Sequence, residues 1–239
     1  MLESEKRWDI EETYLNVGFL NDHPEIKWDK DHPKYVVYSG GADSTLLLAE
    51  VGMFCRKNNI PVNVISMNMD VLDRFKGTHE REVRDKFIQF LKRNDFEVNV
   101  NTVNINWTKS ESNICNPKLP QQFYWEMISL ALIPKNSDVF FGFIKGDDVW
   151  SVDAFRQEIW RNAFEWLESK SHMYDPYKWY GKSYILQRLH ALDLLDYTWS
   201  CESPLGDTSA PCGTCTPCQH RKEALIQLSL TGNVWADEI

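Results

Sequence analysis

The chain lacks any apolar run that approaches the about 18–20 residues needed to cross a bilayer. It also lacks a window dense in lysine and arginine, and its formal net charge is −9. Because nucleic-acid backbones are bound through clustered cations, this balance disfavours nucleic acid as a partner. Nothing near the first residue resembles a secretion signal. The sequence therefore predicts a cytoplasmic protein without membrane attachment, whose six cysteines do not pair as disulfides.

The 239 residues are 43% hydrophobic and include ten tryptophans, enough for one large α/β domain or for one domain with a small appendage. Strand-like and helix-like segments alternate, which predicts right-handed βαβ units in a doubly wound, Rossmann-like parallel sheet. In such sheets ligands bind beyond the carboxyl ends of the strands. Residues 171–181 are predicted to form an aromatic loop. The predicted strands are 34–38, 62–69, 98–105 and 138–144, and the predicted helices are 45–55, 79–94, 121–133, 154–170 and 182–195.

A glycine-rich turn, Ser-Gly-Gly-Ala-Asp-Ser at 39–44, joins the first predicted strand to the first helix. The free N–H groups and the dipole of a helix N-terminus form an anion site there, and the glycines let a phosphate approach the backbone. The turn is neither a Walker A nor a Gly-x-Gly-x-x-Gly sequence. It contains no lysine, so metal ions or distant residues must offset the charge of a bound nucleotide. The alternative is a tight turn in which Asp43 or Ser44 only caps the helix.

Four cysteines near the other end have the spacing of a metal site: Cys201, Cys212, Cys215 and Cys218. Four thiolates suit a closed, tetrahedral, structural zinc ion. An iron–sulfur cluster is the main alternative, because Cys-x2-Cys-x2-Cys also occurs in ferredoxins. In those runs a fourth cysteine and a proline soon follow, whereas here His220 and Arg221 follow. The pattern favours one zinc ion.

The glycine-rich turn resembles the loop of the PP-loop ATP pyrophosphatases, which have the adenine nucleotide alpha hydrolase-like fold. Together with Trp199-Ser200-Cys201 and Cys-Gly-x-Cys-x-x-Cys-x-x-Arg, it resembles the 7-cyano-7-deazaguanine synthases, the QueC family, over most of 34–228. The pair His79-x-x-Glu82 and Lys182 lie where the family has similar residues. The first 33 residues are acidic and contain tryptophan, and we expect them to be an N-terminal extension folded over the main domain. The resemblance implies a PP-loop ATP-binding α/β domain (34–195) and a C-terminal four-cysteine zinc-binding element (196–239).

Two segments depart from the family. Residues 67–70, Met-Asn-Met-Asp, stand where the family usually has Tyr-Gly-Gln after the second strand. Residues 149–156 replace its Gly-Tyr-Pro-Asp-Cys-Arg-Pro segment. The glycine-rich turn and the cysteine motif match the family, whereas the substrate-facing loops differ. The matching segments predict ATP-dependent activation of a carboxylate, and the differing loops leave the acid and the product open.

The resemblance implies a queuosine-pathway ligase that uses ATP and Mg²⁺. In that reaction 7-carboxy-7-deazaguanine is adenylated, ammonia displaces AMP to give the amide, and a second ATP drives conversion to the nitrile. One alternative is an amide ligase that couples the adenylate to an amine such as a protein amino group. Others are a PP-loop tRNA thiolase and a zinc-stabilised nucleotide-binding module without activity. The family often forms dimers, so a homodimer is expected.

The resemblance also implies roles for individual residues. Asp43 is a candidate magnesium ligand, although helix capping explains it equally, and Lys182 is expected to neutralise charge on the phosphates or the adenylate. Asp147 and Asp148 are placed to bind the N1–H and amino edge of a guanine-like ring, and Phe143 or Trp150 its face. The predicted catalytic residues are Asp43, Ser44 and Lys182, and the predicted nucleotide-binding residues are Ser39, Gly40, Gly41, Asp43, Ser44, Thr45 and Met67.

Overall fold

The computed structural model describes residue 20 and residues 23–71, 77–107, 120–201 and 210–229. Its centre is a five-stranded sheet in the order β3-β2-β1-β4-β5, and every neighbouring pair of strands is parallel. The strand order runs outward in both directions from β1, which confirms the predicted doubly wound α/β fold. The strands are β1 (Lys34–Tyr38), β2 (Val62–Val71), β3 (Val98–Trp107), β4 (Asp138–Phe140) and β5 (His172–Tyr174).

Helices follow the strands and cover both faces of the sheet. Within the described ranges, no helix combines the length and the apolar character that a bilayer crossing requires. Short 3₁₀ turns lie at Asp148–Val152 and Leu195–Tyr197. The α-helices are α1 (Ala42–Lys57), α2 (Gly77–Arg93), α3 (Gln121–Leu132), α4 (Asp153–Trp166), α5 (Lys182–Ala191) and α6 (Thr216–Gln227).

The core has two layers because successive side chains of a strand point to opposite faces. Val36 and Tyr38 of β1 pack in one buried cluster with apolar residues of α1, α2, α5 and α6. Val37, between them, packs in the other cluster with Trp160 of α4 and Trp125 of α3. The sheet is therefore held between two helical layers, and its strand ends are left to form the polar sites.

The extent of β4 was predicted wrongly. Residues 138–144 were expected to be one strand, but ladder pairing covers only Asp138–Phe140. Phe141 and Phe143 remain buried as the chain leaves the sheet, so apolar character alone could not show where pairing ends. Gly142 passes so close to the start of α1 that a Cβ there would lie 3.0 Å from backbone atoms of Asp43 and Ser44.

Other expectations also differ from the structure. Part of the predicted aromatic loop is strand β5, whose three residues are too few to show an alternating pattern. The helices predicted to end at 170 and 195 end at Trp166 and Ala191. Soon after each end, Glu168 (φ +51°) and Asp193 (φ +57°) adopt the left-handed conformation that commonly terminates a helix.

The part of the N-terminal extension that is described packs on the main domain. The Trp28 ring stacks on Phe54 of α1, with centroids 4.0 Å apart, and on Phe140 of β4 at 5.5 Å. Its indole N–H donates to the Leu20 carbonyl at 2.9 Å. The segment before β1 therefore contributes to the core. The proposed boundaries at residues 33 and 195 remain predictions.

Candidate active site and metal centre

Two adjoining cavities open at the carboxyl ends of the strands. The larger, about 230 Å³, lies between the 39–44 loop and the segment Trp199–Cys201 with the start of α6. The smaller, about 150 Å³, lies between the same loop and Phe141–Phe143 after β4. The residues that line both cavities are Ser39, Asp43, Met67, Trp125 and Asp147.

The 39–44 loop is ordered by its own serines. The hydroxyls of Ser39 and Ser44 lie 3.1 Å apart, and the Ser44 hydroxyl also donates to the Gly41 carbonyl at 3.2 Å. Gly40 has φ +87°, a conformation that glycine adopts without steric cost. Its carbonyl accepts the Trp199 N–H at 2.9 Å, so the loop is tied directly to the cysteine segment.

Arg84 of α2 supports the loop from below, a role that sequence reasoning missed. A Cβ on Gly40 would lie 2.7 Å from Cγ of Arg84, and the guanidinium donates to the Met67 carbonyl and to Oδ1 of Asn68. Burial is the largest effect on the pKa of Arg84 and lowers it. Arg84 therefore fixes the end of β2 relative to the loop after β1.

Asp43 and Lys182 meet at the larger cavity although they are far apart in sequence. Nζ of Lys182, the first residue of α5, donates to Oδ2 of Asp43 at 2.6 Å. The two side chains are 19% (Lys182) and 21% (Asp43) exposed. The other carboxylate oxygen, Oδ1 of Asp43, is buried and has no hydrogen-bond partner among the described residues. That oxygen has the capacity to bind a cation or a donor from a ligand.

Asp147 lies between the two cavities. Its Oδ2 accepts the N–H of Ile144 at 2.8 Å. Burial, followed by the nearby carboxylate of Asp43, raises the pKa of Asp147 to about 6, although the Ile144 N–H and Lys182 act in the opposite direction. The group titrates close to neutral pH in the centre of the site.

The four predicted substrate residues separate into two pairs. Phe143 and Asp147 line the smaller cavity, whereas Asp148 is exposed and neither it nor Trp150 lines either cavity. The Trp150 indole N–H donates to the Ile144 carbonyl at 2.6 Å, and its ring receives Nζ of Lys178 at 4.9 Å. Trp150 therefore braces the loop after β4 from behind.

A buried arginine supports the same loop. Arg156 of α4 donates to Glu126 and to Asp175 from a fully buried position, and its guanidinium lies 5.2 Å from the centroid of the Trp150 ring. Burial raises the pKa of Glu126 to about 7, although the Arg156 hydrogen bond opposes this. The network positions the wall of the smaller cavity.

The remaining predicted nucleotide residues differ in exposure to the cavities. Ser44 lines the smaller cavity and Gly41 the larger. Gly40 and Thr45 line neither: Gly40 faces Arg84, and Thr45 is fully buried in α1. Their contribution is to the shape of the loop.

The four predicted cysteines converge. Their sulfur atoms all lie within 4.8 Å of one another, and N–H groups of Cys212 and Cys215 donate to the sulfurs of Cys201 and Cys212 at 3.2 and 3.3 Å. Amide donors of this kind stabilise thiolates. The donor set fits a metal centre, and Cys201 also lines the larger cavity.

Arg221, three residues after the last cysteine, is buried and links α6 to the segment Thr198–Cys201, which borders the larger cavity. Its guanidinium donates to the hydroxyls of Thr198 at 2.7 Å and Ser200 at 3.4 Å. Burial lowers the pKa of Arg221 to about 10, while Asp43 acts in the opposite direction. The Thr-Trp-Ser-Cys segment is thus held by α6 on one side and by Gly40 on the other.

Comparisons with known proteins found one family model and similar solved structures. A family model described as queuosine biosynthesis protein QueC matches residues 152–229, which include Lys182 and the four cysteines. Among solved structures, the chain is similar to the U34-tRNA thiolase NcsA from Methanococcus maripaludis with its [4Fe-4S] cluster. That likeness has a TM-score of 0.50 and 15% identity, and covers 95% of this chain and 74% of that one. Residues 152–229 thus resemble the QueC family, and the fold is similar to that of this thiolase.

No curated protein matches the chain. The family match does not include the 39–44 loop. The interpretation of that loop as a nucleotide site therefore depends on its own sequence and geometry.

Sequence reasoning missed several residues that line the two cavities. Trp125 lies on a helix whose apolar pattern is the same for core and cavity residues. Glu80 and His220 are ordinary polar residues on helix surfaces until the fold brings both to the larger cavity. Gly142 did carry a signal, because an isolated glycine in a strand-like run often marks a close backbone approach.

Proposed function

We propose that the chain adenylates the carboxylate of 7-carboxy-7-deazaguanine with ATP and converts the product with ammonia to the amide and the nitrile. A carboxylate oxygen attacks the α-phosphorus, and the bond to the β-phosphate oxygen breaks to release pyrophosphate. Ammonia then attacks the carbonyl carbon and AMP leaves, which gives the amide. A second ATP adenylates the amide oxygen with release of pyrophosphate, and loss of AMP and the two amide protons gives the nitrile. The observation that carries the proposal is the Asp43–Lys182 pair beside the 39–44 loop, facing a cavity closed by the cysteine segment.

The loop and Lys182 have complementary roles toward the nucleotide. The N–H groups at the start of α1 suit the leaving pyrophosphate, but the loop itself has no lysine. Lys182 supplies that missing positive charge from α5. Positioning and charge stabilisation of this kind are the main contributions that a protein makes to phosphoryl and nucleotidyl transfer.

Asp43 suits magnesium binding. Its Oδ1 is buried without a hydrogen-bond partner among the described residues, and a hard carboxylate oxygen is what Mg²⁺ prefers. When bound, Mg²⁺ would offset phosphate charge in a site that is otherwise acidic, with Asp43, Asp147 and Glu80 lining one cavity.

The smaller cavity suits the deazaguanine ring. Asp147 is ionised above a pKa of about 6 and can then accept hydrogen bonds from an N1–H and an exocyclic amino group. Phe143 and Trp125 line the same cavity and offer aromatic surface to a flat ring. Asp148 and Trp150 keep only supporting roles in this proposal.

Zinc is the metal that the sulfur geometry supports. With bonds of about 2.3 Å, the sulfurs around one tetrahedral zinc ion lie about 3.8 Å apart. The four sulfurs here all lie within 4.8 Å of one another. In a [4Fe-4S] cluster each thiolate binds a different iron at the corner of a cube, which spreads the sulfurs further. Zinc bound to Cys201, Cys212, Cys215 and Cys218 would fix the wall that carries Trp199.

Incubation with ATP, 7-carboxy-7-deazaguanine and ammonia tests the proposal. We expect AMP and pyrophosphate in step with the amide or nitrile. The matched control is 7-deazaguanine, which has the ring without the carboxylate and should give no AMP. Equal AMP formation from both compounds, or none from either, would contradict the proposal.

The loops at 67–70 and 149–156, which differ from the family, support a variant of the reaction. In this variant the adenylate is passed to another amine, such as a protein amino group. This ligase would consume one ATP for each amide. Mass spectrometry of the products with and without ammonia separates the two reactions, because only the variant forms product when ammonia is absent and an amine is supplied.

The likeness to a U34-tRNA thiolase supports a second candidate, thiolation of tRNA with a metal cluster in place of zinc. The net charge of −9 weighs against a tRNA surface. A brown protein that contains iron and sulfide and thiolates tRNA would establish this candidate. A protein that holds zinc and nucleotide without releasing pyrophosphate would instead be a binding module.

A further inference from the structure

A cluster of two histidines and an aspartate lies at the amino end of the sheet, opposite the cavities. His32 precedes β1, Asp138 begins β4 and His172 begins β5. Nδ1 of His32 and Nδ1 of His172 each lie 3.1 Å from Oδ1 of Asp138, and one ligand atom from each residue lies within 4.8 Å of the others. Neither the ATP site nor the cysteines use these side chains.

We propose that His32, Asp138 and His172 bind a divalent first-row transition ion such as Zn²⁺. Ligand bonds of about 2.1 Å put neighbouring ligand atoms about 3.0–3.4 Å apart in octahedral or tetrahedral geometry. The observed 3.1 Å separations agree with that range. Two imidazoles with one carboxylate form a donor set that such ions favour.

The backbone holds the three ligands in place. Asp138 and His172 are register partners on adjacent strands, so their side chains lie on the same face. The Asp138 N–H donates to the Pro33 carbonyl at 2.9 Å, and the His172 N–H donates to the Ser137 carbonyl at 3.1 Å. Strand pairing therefore fixes Asp138 and His172 relative to each other, and His32 lies two residues before β1.

Groups around the ligands orient them. Lys34 Nζ donates to Oδ2 of Asp138 at 2.9 Å, which fixes the carboxylate and leaves Oδ1 for the ion. Nε2 of His32 faces Oδ2 of Asp29 at 3.8 Å, on the side away from Asp138. At this distance Asp29 acts on the imidazole as a nearby negative charge and not as a hydrogen-bond acceptor. The charge of Asp29 also compensates for that of Lys34.

The site is accessible to an ion from solvent. The His172 side chain is 39% exposed and that of His32 is 12% exposed, whereas Asp138 is 1% exposed. Three protein ligands leave further coordination positions for water. An ion there would join the segment before β1 to two strands, and would stabilise the folded chain by mass action.

Zinc titration by calorimetry tests the site, with the protein first loaded at its four cysteines and freed of excess metal. We expect one further zinc per chain. His172→Gln keeps a hydrogen-bonding side chain but should lower the affinity at least about tenfold, because loss of an outer partner alone costs about 10–100-fold. His190→Gln, at an exposed position on α5, is the matched control and should bind like the parent.

Cobalt and thermal unfolding give two independent readouts. Co²⁺ at this site should add weak ligand-field bands without the intense thiolate absorption of the cysteine site. Excess Zn²⁺ should raise the unfolding temperature of the parent and of His190→Gln, but not that of His172→Gln or His32→Gln. The proposal is overturned if no zinc binds beyond the cysteine site, or if His172→Gln binds it as tightly as the parent does.

Discussion

Two lysine–aspartate pairs lie at opposite ends of the same sheet and differ in how fully they are paired. Lys34 is fully buried, and its ammonium donates to Asp138 and to the carbonyls of Asp29 and His32. Lys182 is 19% exposed beside a cavity, and its hydrogen bond among the described residues goes to Asp43. The lysine–aspartate pair at the amino end is therefore shielded from solvent, whereas the pair at the carboxyl end is open to a cavity.

This difference indicates what each pair does. A buried ammonium with three acceptors has no donor left for a ligand, so its removal leaves a buried charge uncompensated and affects folding. A partly exposed pair contributes little to stability but keeps donors for an incoming phosphate. Substitutions at the two lysines should therefore separate stability from activity.

Lys34→Met should have the largest effect on the fold. It leaves the buried Asp138 without its cation, so the free energy of unfolding should fall by about 3–5 kcal/mol. Urea denaturation measures this, and Lys92→Met, at an exposed position on α2, is the control and should change it by less than about 0.5 kcal/mol. A loss as small as that of the control would show that the buried pair does not stabilise the chain.

Lys182→Met should have the largest effect on catalysis. Loss of the positive charge beside the loop should lower kcat for AMP formation about 10²–10³-fold, while the unfolding free energy changes by less than about 1 kcal/mol. Lys145→Met, at an exposed position after β4, should retain normal activity. Unchanged pyrophosphate release in Lys182→Met would remove Lys182 from the chemistry.

The pH dependence of stability is a further test at the carboxyl end of the sheet, where Asp147 lies close to Asp43. The pKa of Asp147 is about 6 in the folded chain against 3.8 for the free group. Between these values the folded state binds more protons, so the contribution of Asp147 to stability is lost as pH rises through about 6. Asp147→Asn should therefore raise the unfolding free energy at pH 7 by about 1–3 kcal/mol, since one pKa unit is about 1.4 kcal/mol.

Asp147→Asn should change the unfolding free energy little near pH 3, where Asp147 is protonated in both the folded and the unfolded chain. Asp148→Asn is the control, because its neighbouring carboxylate is exposed. Denaturation curves at both pH values measure the effect. If the gain at pH 7 equals that at pH 3, burial beside Asp43 does not perturb Asp147.

Gly142→Ala should have a smaller effect. The added Cβ would meet backbone atoms of Asp43 and Ser44 at 3.0 Å, and backbone cannot yield as a flexible side chain does. We expect a loss of about 1–2 kcal/mol and a higher KM for ATP. Gly181→Ala, with nothing within 4 Å and an extended backbone, should be nearly neutral. Equal stability of the two variants would argue against a close approach at Gly142.

The sequence predicted the fold and the convergence of the four cysteines well, because both have local signals. Alternating strands and helices imply the parallel sheet, and the cysteine spacing alone indicates convergence at Cys201 to Cys218. The 39–44 loop was placed correctly at the end of β1 because two glycines interrupt a strand-to-helix junction.

Residues that depend on distant pairing could not be found in this way. Arg84 acts through the Gly40 backbone, and Trp125 reaches the cavity only because α3 covers one face of the sheet. Asp147 and Asp148 are identical in sequence terms, yet one is turned inward by the Ile144 N–H and the other is exposed. The histidine–aspartate cluster likewise combines residues from three strand ends.

Adenylation of a carboxylate is tested most directly with 7-carboxy-7-deazaguanine whose carboxylate carries ¹⁸O. If a carboxylate oxygen attacks the α-phosphorus at the Lys182 site, breakdown of the adenylate must transfer one labelled oxygen to AMP, which mass spectrometry detects. We predict labelled AMP, with the label absent from pyrophosphate. Unlabelled AMP formed in step with product, or ADP and phosphate in place of AMP, would contradict the account.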